Sequence, residues 1–275
     1  MARHSDLRGL KGRGEPVAVL TAYDAPAAAA EEAAGVDIIL VGDSVGPAML
    51  GYASETEVTL ADMCHHIGAV RRGATNTPII ADLPYRTYDT PDMALESSRL
   101  LIAAGADLVK FEGFLPAILV SLVKHSIEVC CHLGLEPQHH ESKGLQGRSA
   151  ADASQLLSNA LALDEIGMAM LVLELVPEEV AERVTRCVAA PVIGIGAGRK
   201  TDGQVLVITD VLGFTAKNYR HNRKYQEFGE LMLQAAKAYV SDVRSGNFPA
   251  ETNLFHMEKN ELAEFLRGPP QKISR

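Results

Sequence analysis

Residues 38–46, IILVGDSVG, join four unbroken apolar side chains, Ile38 to Val41, to a glycine, a carboxylate and a hydroxyl. An apolar run of that length reads as a buried strand. Gly42 then reads as a place where the chain passes close to its neighbours. A buried strand that ends by delivering Asp43 and Ser44 has to be explained by what surrounds it, and the first clue is that the pattern recurs. Apolar, β-branched runs follow one another at 17–23 (VAVLTAY), 37–43, 78–84 (PIIADLP), 107–113 (DLVKFEG), 127–133 (IEVCCHL), 168–176 (MAMLVLELV), 191–197 (PVIGIGA) and within 205–212 (VLVITDVL).

The intervals read as helices. Residues 25–35 are alanine-rich and close on Gly35, a helix stop. Residues 90–105 place Thr90 as cap, Pro91 in the first turn and Gly105 at the end. Residues 149–167 repeat that form with Ser149 and Gly167, and 177–190 carry acids in the first turn, where the helix dipole favours them. Eight strands alternating with helices in 275 residues predict an α/β fold, a single-domain (β/α)8 TIM barrel. An open doubly wound sheet is the alternative. The expected organisation is a catalytic barrel over 1–255 and a polar tail over 256–275 with one short amphipathic helix, EKNELAEFLRG. From Gly198 to Gln204 there is little room for a crossover helix. The expectation there is a short helix on TDGQVL (201–206) and an eighth strand beginning near Val207.

Composition narrows the function. The net charge of −9 disfavours a phosphate-backbone partner, which needs a basic surface. Four cysteines without a CxxC pair argue against a zinc site. No apolar run approaches the ~18 residues of a membrane span, and the first residues lack a signal-peptide core. The expected compartment is the cytoplasm.

In such a barrel the active site lies at the C-terminal ends of the strands. Asp43, Asp82 and Glu112 stand at the ends of three successive strands. Carboxylates gathered on an apolar floor need a partner, and an all-oxygen set suits a hard cation such as Mg2+. Lys110 is two residues from Glu112, so both face one way; it can bind a substrate carboxylate, stabilise an enolate oxygen, or form a structural pair with Glu112. Glu174 lies among apolar residues in LVLELVP, where burial suits a general base. His132 reads as a donor to substrate or to Glu174, or as a structural histidine. The glycines of GIGAG (194–198) fit a phosphate loop or a wall for a planar ligand equally well. This inventory points to proton abstraction beside a carbonyl, with Mg2+ assisting enolate formation.

Seven segments, LTAYD (20–24), LVGDS (40–44), ADLPY (81–85), VKFEG (109–113), HLGLEPQ (132–138), LVLELVP (171–177) and IGIGAGRKTDGQVLV (193–207), together resemble the ketopantoate hydroxymethyltransferase family over about residues 5–255. The resemblance implies a decameric barrel of pantothenate biosynthesis. It implies transfer of a one-carbon unit from 5,10-methylenetetrahydrofolate to 3-methyl-2-oxobutanoate, with C–C bond formation. It places Asp43, Asp82 and Glu112 at Mg2+, Asp43, Ser44, Asp82, Lys110 and His132 at the keto acid, and Glu174 as the base. The sequence departs from the family pattern at Cys131, at Glu136 and in loops 136–148 and 215–229. Two other readings compete: a Mg2+-dependent lyase or mutase of the phosphoenolpyruvate mutase and isocitrate lyase type, and a non-catalytic barrel paralogue.

Overall fold

A computed structural model describes residues 9, 11–12, 14–139, 144–214 and 219–268. Residues 140–143 and 215–218, inside the two departing loops, and the tail from 269 lie outside that range. Eight parallel strands close into a barrel in sequence order: β1 Val17–Thr21, β2 Ile38–Val41, β3 Ile79–Asp82, β4 Leu108–Glu112, β5 Val129–Gly134, β6 Met170–Glu174, β7 Val192–Ile195 and β8 Gly203–Leu206, which pairs back to β1. The expected (β/α)8 barrel is the fold, and it lies within one compact unit, Met1–Gln226.

The helices follow local chemistry. In α1 (Ala25–Ala34) the Asp24 carboxylate accepts from Ala27 N, and Gly35 at φ 83° closes the helix. Helix α2 (Leu60–Gly73) starts on a reciprocal Thr59–Asp62 capping box. Helix α3 (Pro91–Ala104) has Thr90 as its cap; α4 (Pro116–Lys124) opens on proline; α5 (Ala150–Ile166) has Ser149 as its cap. Helix α6 (Glu178–Cys187) carries Glu178 and Glu179 in its first turn. Helix α7 (Ile208–Val211) is a single turn.

The β7–β8 region corrects the sequence reading. Residues 203–206 form β8 itself, not a helix, and the run continuing to Val211 is α7. The return from β7 spans only 196–202, with Gly196 at φ 64° and Gly198 at φ 80°. Asp202 clamps it: its carboxylate accepts from Val192 N at 2.8 Å, and its own N donates to Val192 O at 2.9 Å. A Cβ on Gly203 would sit 2.3 Å from Val17 O, so this glycine is what lets β8 approach β1. Gly196 and Gly198 of the GIGAG run thus serve a short return between parallel strands.

Side chains alternate about the barrel wall. Val17, Val19, Ile38, Leu40, Ile80, Leu108, Cys130, Met170, Val172, Ile193 and Val205 fill the inside. Ile39, Val41, Ile79, Ala81, Val109, Phe111, Val129, Leu171 and Leu173 join the larger cluster that also takes in helix residues such as Met63, Ile67, Leu101 and Leu119. The second compact unit, Glu227–Arg275, contains α8 (Phe228–Ser245) and α9 (Lys259–Phe265), the latter inside the amphipathic piece expected in the tail.

One acid sits oddly in the helical layer. Glu31 of α1 is buried, and neither carboxylate oxygen has a hydrogen-bond partner among the described residues. Burial, then the charge of Asp24, pushes its carboxyl up to about 8 from 4.5. Between those values the folded chain keeps a proton that the unfolded chain releases, so stability falls as pH rises from 4.5 to about 8. Glu31→Gln removes this penalty. Its melting-temperature advantage over the parent should grow between pH 5 and pH 8 in parallel thermal scans; a constant difference would contradict the assignment.

Candidate active site

Alternation brings the site together. Once Ile80 faces inward, so does Asp82; with Leu108 go Lys110 and Glu112; with Cys130 goes His132; with Met170 and Val172 goes Glu174. Neighbouring strands are in register for this, with Asp82 beside Lys110 and Glu112 beside His132. Asp43 lies two residues past the end of β2, in the turn after Gly42. A Cβ on Gly42 would lie 2.9 Å from Ser44 Oγ and 3.4 Å from Asp82 Oδ2, so the expected close passage is real.

The Lys110 ammonium is buried, 2.9 Å from Asp82 Oδ1 and 3.3 Å from His132 Nδ1. Its ion partner is thus Asp82 on the next strand, not Glu112. Burial pulls the lysine pKa down, but Asp82, Glu112 and Asp43 more than reverse this, so the amine stays charged. Asp43 is pushed well up, first by burial and then by the charge of Asp82. Glu112 is likewise pushed up, chiefly by burial, with Lys110 opposing. His132 is pulled down by burial and by Lys110, which leaves a neutral ring. Its Nε2 lies 3.4 Å from Glu174 Oε2.

Glu174 is less enclosed than its apolar neighbours suggest, with a side chain 18% exposed. Leu171 and Leu173 occupy the opposite face of β6, so the apolar context of LVLELVP belongs largely to the other side of the strand. Leu175, immediately after it, holds φ 47°, a left-handed value that a branched side chain resists. Two backbone hydrogen bonds pin it, Leu175 N to Ile195 O at 2.9 Å and Gln146 N to Leu175 O at 2.8 Å. Glu174 therefore leaves the strand at a fixed angle.

The structure adds residues that sequence reasoning did not single out. Gln138, just past β5, is buried: its N donates to Glu112 Oε2 at 2.9 Å and its Nε2 to Asp43 Oδ2 at 2.7 Å. The Tyr88 hydroxyl donates to Gln138 Oε1. The Tyr23 hydroxyl lies 2.9 Å from Ser44 Oγ, and burial pushes its phenol up. His221, in the second departing loop, is half-buried against Gly196 and within the field of Glu174. Gln138 closes the quoted HLGLEPQ segment, so its position was visible even though its role was not.

The donors suit a hard divalent cation. Three buried carboxylates, Asp43, Asp82 and Glu112, share a pocket where two of them resist ionisation and one ammonium is their only buried cation among the described residues. Among the described residues no group of three or more His, Cys, Asp or Glu side chains is placed to hold a metal ion jointly. Mg2+ does not require such a set, because it usually keeps several waters and takes only one or two carboxylates directly.

The sequence profile described as ketopantoate hydroxymethyltransferase matches residues 2–251. A 3-methyl-2-oxobutanoate hydroxymethyltransferase of Roseiflexus sp. (strain RS-1) is 44% identical over 271 residues, covering 96% of this chain and 98% of its own. One from Gluconacetobacter diazotrophicus is 44% identical over 269 residues, with 96% and 98% covered. Among solved structures, 2,3-dimethylmalate lyase, a PEP mutase/isocitrate lyase superfamily member, superposes with a TM-score of 0.59 at 15% identity, covering 98% of this chain and 100% of its own. Phosphonopyruvate hydrolase complexed with oxalate and Mg++ gives 0.62 at 11% identity, covering 97% and 95%. At such identities these two show a shared fold.

The lysine fixes the tautomer of His132. An ammonium only donates, so the Nδ1 it faces accepts and the ring proton resides on Nε2, towards Glu174. Nitrogen-15 NMR of the metal-free protein at neutral pH should show His132 with a protonated Nε2 and a bare Nδ1. Lys110→Met should relax that preference; an Nδ1–H ring in the parent would overturn the arrangement.

Proposed function

The chain belongs to the ketopantoate hydroxymethyltransferase family, and on that footing we propose that its barrel mouth adds a hydroxymethyl group to C3 of 3-methyl-2-oxobutanoate in the cytoplasm. The product is 2-dehydropantoate, on the route to pantothenate and coenzyme A. 5,10-Methylenetetrahydrofolate supplies the carbon, water supplies the hydroxyl oxygen, and tetrahydrofolate departs. One observation carries the reading: His132 links the Glu174 carboxylate, 3.4 Å away, to the buried Asp82–Lys110 pair and Glu112. A base and a charge-stabilising cluster thus share one mouth.

Asp43, Asp82 and Glu112 are the groups that hold Mg2+, which when bound supplies positive charge that polarises the 2-oxo oxygen. Glu174 takes the C3 proton. His132, whose Nε2 lies 3.4 Å from Glu174 without an aligned hydrogen bond in this structure, is placed to donate to that carboxylate and keep it aimed. Lys110 meets the negative charge that collects on the oxo oxygen as the proton leaves. Ser44, held by Tyr23, and Lys110 orient the keto acid for attack on the one-carbon unit.

Exchange of the C3 proton tests this without folate. With Mg2+ in D2O, the protein should exchange the C3 proton of 3-methyl-2-oxobutanoate, followed by proton NMR, and Glu174→Gln should slow it by about 10²–10⁴-fold. Unchanged exchange in the variant would refute the base. Product should require methylene-folate; metal-dependent cleavage of a 2-hydroxy acid without folate would point instead to the lyase class.

Assembly into a homo-oligomer, a decamer by family resemblance, is part of the proposal. Within its own unit, Glu227–Arg275, the described residues leave Leu231, Met232, Leu233, Tyr239, Val240 and Val243 of α8 uncovered. An apolar face of that extent suits a protein partner, and a second copy fits a family of oligomers. Light scattering after gel filtration should give a mass well above 29.5 kDa. Met232→Glu should shift it downwards. A monomeric parent would refute the proposal.

A further inference from the structure

We infer that Gln138 is a positioning residue that sets how many oxygens the carboxylate cluster offers to a cation, and thereby selects a small octahedral ion over a larger one. The inference rests on the cation site proposed above. Each carboxylate of the cluster has one oxygen held by an N–H donor. Asp82 Oδ2 accepts from Asp43 N at 3.1 Å, Asp43 Oδ2 from Gln138 Nε2 at 2.7 Å, and Glu112 Oε2 from Gln138 N at 2.9 Å. Gln138 thus supplies two of the three ties, one through its backbone and one through its side chain. The other oxygens are differently placed: Asp82 Oδ1 contacts Lys110 Nζ at 2.9 Å without an aligned hydrogen bond, and Glu112 Oε1 lies 3.6 Å from His132 Nδ1.

The Gln138 amide cannot turn over. Its Nε2 also donates to Leu83 O at 3.0 Å, an atom that only accepts, and its Oε1 receives the Tyr88 hydroxyl proton at 2.5 Å. Gln138 and Tyr88 are both buried, so no water replaces these partners cheaply. A carboxylate oxygen that accepts a buried N–H keeps one lone pair, but the donor draws off its charge and fixes the turn of the group, so a metal meets the other oxygen as the better ligand. Mg2+ is satisfied by single-oxygen ligands in an octahedron, whereas Ca2+ takes more oxygens and readily uses both of one carboxylate. Gln138 therefore disfavours the larger ion by making Oδ2 of Asp43 the poorer ligand and holding the group in a turn that favours one-oxygen binding.

Binding of Mn2+ to the full-length protein, without keto acid or folate, is followed by electron paramagnetic resonance, with Mg2+ and Ca2+ as competitors. Gln138→Ala should weaken Mn2+ and Mg2+ binding by about 10–100-fold, the usual range for loss of a group that orients metal ligands. Ca2+ binding should weaken less, so the Mg2+/Ca2+ preference falls. Tyr88→Phe, which deletes only the hydroxyl that orients the amide, should move the preference the same way by a smaller factor and decides the matter if the alanine variant does not fold. A preference unchanged in the variants, or equal losses for both ions, would overturn the inference. A parent protein that binds no Mn2+ would instead sink the cation site itself.

Discussion

One buried ammonium holds the interior of this barrel together. Lys110 contacts Asp82 and His132, with Asp43 and Glu112 in its field. Burial works against every charge in the group. The lysine remains charged because three carboxylates outweigh the desolvation, while Asp43 and Glu112 resist ionisation because one lysine does not suffice for them. The deficit of positive charge is a property of the fold, since the strands that carry these side chains are fixed by their pairing. A cation added to the pocket would let Asp43 and Glu112 ionise, which is the physical ground for proposing one there.

Much of the architecture was legible because apolar runs and caps are local. Thr90, Ser149, Gly35 and Gly167 bound their helices where the sequence placed them. The period-two alternation that buries Leu108 also commits Lys110 and Glu112 to the barrel interior, so two site residues follow from one apolar neighbour. The eighth strand was not legible. Its limits depend on Gly203 lying against the Val17 carbonyl and on Asp202 gripping Val192, contacts between segments remote in sequence or hidden in a turn. Apolar content alone does not separate Val205–Leu206 from Ile208–Val211, because both segments face the core at one point or another.

The candidate site divides in the same manner. Residues that end strands were found by counting along strands. Gln138 and Tyr88 were not, because their contribution consists of hydrogen bonds to partners reached only after the barrel closes, Asp43 being 95 residues away. Glu174 was placed correctly at the end of β6 but its surroundings were misjudged, since a strand's apolar neighbours mostly occupy its other face. The glycine-rich segment after β7 shows a further need behind such residues: Gly196 and Gly198 take positive φ in the short return to β8.

At the far end of the barrel, Lys11 performs a different task. Its Nζ donates to the carbonyls of Thr185, Val188 and Ala190 at 2.7, 2.9 and 3.1 Å and lies 3.2 Å from Asp202. These groups belong to the end of α6 and to the return into β8, so a single side chain near the chain's start staples the closing strands from below. Removing Lys11 would leave three carbonyls and an acid without their cation just where the last strand completes the ring.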